Sequence, residues 1–153
     1  MKAIEMMLRS HPRADARHAT YYAEALAALS TCADVCAACA DACLGETENL
    51  GHLRRCITIN LACSDVCSAT ARVVIRQTEA PNEVVHAQLH AGVLACQSCA
   101  DECELHGDEH DHCRICAETC RFCQERCNLL LGEISSSGTA EASTGEDSPP
   151  LAR

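Results

Sequence analysis

Cysteines recur at helical steps along four separate stretches of this chain. Cys32, Cys36, Cys39 and Cys43 are spaced by 4, 3 and 4 residues. Cys56, Cys63 and Cys67 are spaced by 7 and 4, with Asn60 in the skipped slot. Cys96, Cys99 and Cys103 follow at 3 and 4, and Cys113, Cys116, Cys120, Cys123 and Cys127 form an unbroken run of 3, 4, 3 and 4. Such steps keep side chains on one face of an α-helix and mark the a and d positions of a heptad, the seam that faces a bundle axis. One register per stretch puts all 15 cysteines on a or d, where random placement would put roughly two in seven. The outer face agrees, because Asp34, Asp41, Asp65, Asp101, Glu118 and Glu125 all land on f, and Arg114, Arg121 and Arg126 avoid a and d. The thiols point inward and the charges outward.

Gly and Pro are sparse until the end of the chain, and Ala, Glu, Leu and Arg fill the rest, so helix is the default. The pattern predicts a short helix over residues 2–9, stopped at His11-Pro12, then bundle helices over about 14–44, 48–78, 83–105 and 109–131. The breaks fall at Gly45, at Pro81-Asn82 and at Gly107-Asp108. Turns this short make consecutive helices antiparallel neighbours. The expected fold is therefore all-α, an up-down-up-down four-helix bundle with an extra N-terminal helix. Residues 1–132 form one domain in this reading. Residues 133–153, rich in Ser, Gly and Pro, read as a disordered tail.

Topology then gathers the sulfur. Cysteines occupy the C-terminal halves of the first and third bundle helices and the N-terminal halves of the second and fourth. Those four halves share one end of the bundle, giving a sulfur-lined tube about 17–21 Å long at a rise of about 1.5 Å per residue. Towards the other end the seam returns to Tyr22, Ala25, Leu29, Val74, Val85 and Leu89.

Charge narrows the function classes. The 153 residues carry 12 Lys+Arg against 22 Asp+Glu, a formal charge of -10, and Lys2 is the only lysine. With no basic stripe, nucleic acid and anionic membrane surfaces are not expected partners. Glu5, Arg9, His11 and Pro12 interrupt what would be the apolar core of a secretory signal. The sole arginine pair here, Arg54-Arg55, lies mid-sequence, and no window is expected to reach the apolar run of about 18 residues that a membrane span requires. These features and the odd cysteine count point to a cytoplasmic chain with reduced thiols rather than a secreted disulfide scaffold.

A seam of small thiols would be underpacked unless something fills it. The filler should be soft, and thiolates select Cu(I), zinc or iron–sulfur clusters. A Cu(I) bridged by shared thiolates approaches a neutral unit per sulfur. A Zn(Cys)4 site carries two net negative charges, costly to bury where the seam offers no Lys or Arg. Zinc sites also hold their CxxC pairs on knuckles that converge on a point, and compact iron–sulfur patterns such as C-x2-C-x2-C are absent. Cu(I), many ions per chain, leads. A zinc- or redox-responsive thiol sensor is the alternative, and a plain helical interaction protein the third reading.

The CxxxCxxCxxxC run from Cys32 to Cys43, the set Cys56 to Cys67, Cys96-Cys99-Cys103 and the run Cys113 to Cys127 resemble the cytosolic copper storage proteins, over about residues 14–131. That resemblance implies a cysteine-lined bundle, a homotetramer, a Cu(I) capacity near or above the cysteine count, and storage or buffering in a bacterial cytosol. Asn60 departs from an all-cysteine stripe. A copper chaperone is an expected partner.

Histidines complete the candidate ligands. Continuing the third bundle helix past Cys103 puts His106 at d and His110 at a, at the sulfur end, with His52 and His112 on flanking positions. Imidazole ligates copper and can pass ions to the first thiolates, so His106 and His110 join the cysteines as candidate metal ligands. His18, His86 and His90 fall at the opposite end and read as structural or surface residues.

Enzyme readings find no support in the sequence. Glu83–His86 and Glu109–His112 match the Glu-x-x-His letters of a di-iron bundle, but each opens its own helix, at opposite ends. A His-x-x-x-Cys-x-x-Cys switch starting at His52 and Cys56 fails because Ile59 fills the last slot. An oxidoreductase wants an exposed CxxC of low pKa at a helix N-terminus, whereas every CxxC here lies on the inward stripe.

Overall fold

The computed structural model describes residues 2–12, 18–48, 50–80 and 82–141, with side chains to residue 136. Among these residues the chain forms five helices: α1 (Lys2–Ser10), α2 (Ala19–Gly45), α3 (Leu50–Val74), α4 (Asn82–Glu104) and α5 (Asp111–Glu141). The ring order α2–α3–α4–α5 follows from which helices pack together, and α1 lies against α2.

Sulfur contacts show the chain directions. Between α2 and α5, Cys43 meets Cys113 at 3.9 Å, Cys36 meets Cys116 at 3.7 Å and Cys32 meets Cys120 at 3.6 Å, so one helix descends as the other rises. Between α3 and α4, Cys56 meets Cys103 and Cys67 meets Cys96, again antiparallel. Across the diagonal, Cys32–Cys96 and Cys36–Cys99 run parallel. This is the expected up-down-up-down bundle with its extra N-terminal helix.

Beyond the thiols the seam closes with ordinary apolar residues. Leu29, Leu89 and Leu130 are fully buried, and Ala25, Val74 and Val85 join them. A polar bridge ties α3 to α4 there: Thr70 donates to the carbonyls of Val66 (2.7 Å) and Gln88 (3.2 Å), while Gln88 Nε2 lies 3.1 Å from Thr70 Oγ1. Gly92 faces this bridge, and a Cβ there would sit 3.4 Å from Thr70 Oγ1. α1 is fastened by buried Leu8 and by Arg9, which pairs with Glu5 (3.0 Å) and reaches Thr20 (3.0 Å).

Four details differ from the sequence reading. α3 stops at Val74, four residues before the expected end at 78. α5 runs through Gly132 to Glu141, ten residues past its expected end at 131. The expected tail from residue 133 is thus helical at first, and residues 142–153 lie outside the described ones, as do residues 14–17 of the expected second helix. α2 is long and apolar enough to cross a membrane by length and composition, with an 18-residue window of mean hydropathy 1.4 of which half is buried in the bundle. Its apolarity comes from alanines and inward cysteines serving the core.

Candidate metal centre

Heptad spacing brings all fifteen thiols to one place. Every cysteine is buried and none forms a disulfide. Cys32, Cys36 and Cys120 sit mutually within 3.8 Å, and Cys67 approaches Cys96 at 3.5 Å. Several groups have ligand atoms all within 4.8 Å of one another: Cys32–Cys63–Cys67–Cys96, Cys32–Cys36–Cys63–Cys120, Cys36–Cys99–Cys116–Cys120 and Cys39–Cys56–Cys103. These groups overlap, since Cys32, Cys36, Cys63 and Cys120 each belong to two. A shared thiolate bridges two ions, so the lining suits polynuclear soft-metal clusters better than isolated sites. Cys123 and Cys127, both fully buried, continue the lining.

Asn60 fills the skipped slot and is fully buried. Its Nδ2 donates to the Cys56 carbonyl at 2.9 Å and to the sulfurs of Cys56 (3.2 Å) and Cys103 (3.4 Å). Its Oδ1 accepts from Cys116 at 2.9 Å and from Cys99 at 3.4 Å. The amide is thus a four-sulfur bridge across α3, α4 and α5, which accounts for a polar group in the core.

Electrostatics keep most thiols protonated in the metal-free tube. Cys120 and Cys36 are pushed far up, first by hydrogen bonding with Cys116 and further by burial. Cys123 moves the same way through Cys127. Cys63 and Cys103 move down, because neighbours donate to their thiolates, Cys120 to Cys63 and Cys113 to Cys103. The only charged side chain buried among the described residues is Glu102, near the mouth, where Arg55 Nε meets it at 2.7 Å.

At the mouth the histidines sort differently from the heptad expectation. α4 ends at Glu104, so residues 105–110 are a turn and the heptad register does not carry across it. His106 Nε2 lies 3.5 Å from Glu102 Oε1, and His110 Nδ1 lies 3.1 Å from Glu46 Oε1. The histidine that faces sulfur is His112, in the first turn of α5: its Nδ1 is 3.4 Å from Cys113, 3.6 Å from Cys39 and 3.8 Å from Cys43. These four form a further ligand group. The signal for His112 was its place beside the core position Cys113, with the fixing residue, Glu46, far away in sequence. Hydrogen bonding from His112, joined by His110, holds the Glu46 carboxyl below its ordinary range. His52 is exposed, and at the far end His18 lies 3.9 Å from Glu133.

A profile of the family described as copper storage protein matches residues 18–132. The fold superposes on the copper storage protein of Streptomyces lividans loaded with 10 copper equivalents, with a TM-score of 0.81 and 39% identity over 84% of this chain and 98% of that one. A five-copper structure of the cytosolic copper storage protein from the same organism matches with a TM-score of 0.72 and 42% identity over 74% of this chain and 93% of that one. No curated protein matches the chain. With the profile spanning its whole sulfur-lined bundle, this chain belongs to the copper storage protein family.

Proposed function

We propose that the chain stores and buffers Cu(I) in the cytosol, binding many ions through the thiolates of its tube. The observation that carries this is the sharing of Cys32, Cys36, Cys63 and Cys120 between overlapping four-sulfur groups. Bridging thiolates let the number of ions approach the number of sulfurs, and each Cu(I) thiolate unit is neutral, which suits a tube without buried Lys or Arg among the described residues. Each ion displaces thiol protons as it binds. All fifteen cysteines serve as ligands in this reading. His112 hands ions from the mouth to Cys39, Cys43 and Cys113, with His110 and His106 as outer ligands. No substrate is transformed, so the protein is not an enzyme.

Self-association, into the homotetramer that the resemblance implies, is favoured by an outward stripe on α5, where Ile115, Phe122 and Leu129 stand seven residues apart and are 48%, 54% and 42% exposed. Phe122 lines a groove of about 460 Å³ with Ala27, Ala28 and Thr31 of α2, a surface that a second copy would cover. On α2, Ala37 and Ala38 are exposed as well, while Ala40 is buried in the bundle. A copper chaperone is the natural donor, since free Cu(I) would bind thiols indiscriminately.

The test is a Cu(I) titration of the reduced, metal-free protein against a competing chelator, with zinc in parallel. Tight uptake of roughly a dozen or more Cu(I) per chain with little zinc is expected. Uptake of only a few ions, or zinc held equally well at about four sulfurs each, would replace storage with a zinc- or redox-responsive sensor.

A further inference from the structure

One carboxylate oxygen holds both histidines at the mouth. Glu46 Oε1 lies 3.1 Å from His112 Nε2 and 3.1 Å from His110 Nδ1, and the two rings stand 5.3 Å apart, centroid to centroid. An ionised carboxylate only accepts, so each imidazole turns an N–H towards it. For His112 this leaves the lone pair on Nδ1, the nitrogen that lies 3.4–3.8 Å from the sulfurs of Cys113, Cys39 and Cys43. Glu46 is itself fixed. It follows the last residue of α2 with extended backbone (φ -67, ψ 130), and its N–H bonds the Cys43 carbonyl at 3.3 Å. The carboxylate is therefore anchored to the turn of α2 that carries Cys43, while the imidazole it holds opens α5 beside Cys113.

We propose that Glu46 is the positioning residue for copper uptake, aiming His112 Nδ1 at the first thiol group and holding His110 beside it. The inference rests on the storage reading and adds a residue that is not itself a copper ligand. A carboxylate behind a ligating imidazole fixes both the ring orientation and the nitrogen left for the metal, and losing such a partner commonly weakens a site by 10–100-fold. The fifteen thiols set capacity, so the effect of Glu46 falls on the rate at which the first ions enter. Glu102 makes a comparable contact with His106 at 3.5 Å, but its other oxygen is engaged by Arg55.

The experiment follows Cu(I) transfer from a chelate to the reduced, metal-free full chain by stopped flow, for wild type, Glu46→Ala, Glu46→Gln, His112→Ala and the Glu46→Ala/His112→Ala double variant. Expected are an approximately tenfold slower first phase in E46A, most of the rate retained in E46Q, whose amide oxygen still accepts from Nε2–H, and much less added slowing by E46A once His112 is gone, since only the hold on His110 is then lost. The hydrogen-bonded Nε2–H proton of His112 should be visible by 1H–15N NMR in wild type and lost to solvent exchange in E46A. Wild-type rates in E46A, or equal slowing by E46A with and without His112, would overturn the assignment. Failure of the storage reading looks different: wild type itself then takes up only a few ions.

Discussion

Asn60 shows how much one buried amide contributes here. It donates to Cys56 and Cys103 and accepts from Cys99 and Cys116, so truncation orphans several partners at once and opens a void. Replacing it by Ala should lower the stability of the metal-free protein by about 2 kcal/mol, read as a shift in the urea midpoint under reducing conditions. An unchanged midpoint would mean the surrounding thiols re-pair among themselves. The sequence marked Asn60 as a gap in the stripe, because heptad position is a local property of the helix. It could not show which four sulfurs the amide bridges, since those belong to α3, α4 and α5 and meet only when the bundle closes.

At the level of elements, each helix is divided between two tasks. Leu29, Val74, Leu89 and Leu130 close the far half, while the near half is lined with thiols. The two halves should respond differently to substitution. Leu89→Ala removes a fully buried side chain from the part that holds the bundle together, and a loss of about 2–5 kcal/mol is expected in denaturant unfolding. Cys116→Ser with Cys120→Ser should leave the helical circular dichroism intact and lower the Cu(I) count per chain. Retained capacity in that pair would count against bridging thiolates, because Cys120 belongs to two of the four-sulfur groups. The turn between α4 and α5 belongs to this scale too. Its residues were given heptad positions in the sequence reading, yet α4 ends at Glu104 and α5 begins at Asp111, so His106 and His110 take their orientation from carboxylates instead of from the seam.

For the whole molecule, the protonation of the tube couples folding, pH and metal. Cys36, Cys120 and Cys123 titrate above the ordinary thiol value of 9.0, through hydrogen bonds with neighbouring thiols and through burial. In the range above that value the folded chain therefore binds more protons than the unfolded one, and stability must fall as pH rises. The reduced, metal-free protein should keep its stability below about pH 9 and unfold at lower urea near pH 10 than near pH 7. Copper binding has the opposite sign, because each ion displaces thiol protons, so acid should loosen the copper that alkali tightens. Urea titrations at the two pH values, with and without Cu(I), check both signs. A metal-free midpoint that rises with pH would show that the lowered thiols, such as Cys63 and Cys103, dominate instead.

The repeat of three and four residues was enough to place fifteen thiols on four helix faces, and short connections were enough to bring those faces to one end. Both follow from helical geometry, which acts over neighbouring residues and needs no knowledge of the rest of the chain. The continuation of α5 past Gly132 ran against the local glycine signal, as weak propensities often do. The choice of His112 as the imidazole facing sulfur depended on Glu46, 66 residues away in sequence. A hydrogen bond of that span exists only after α2 and α5 have packed, and so the route into the tube belongs to the folded molecule while its lining belongs to the pattern of the chain.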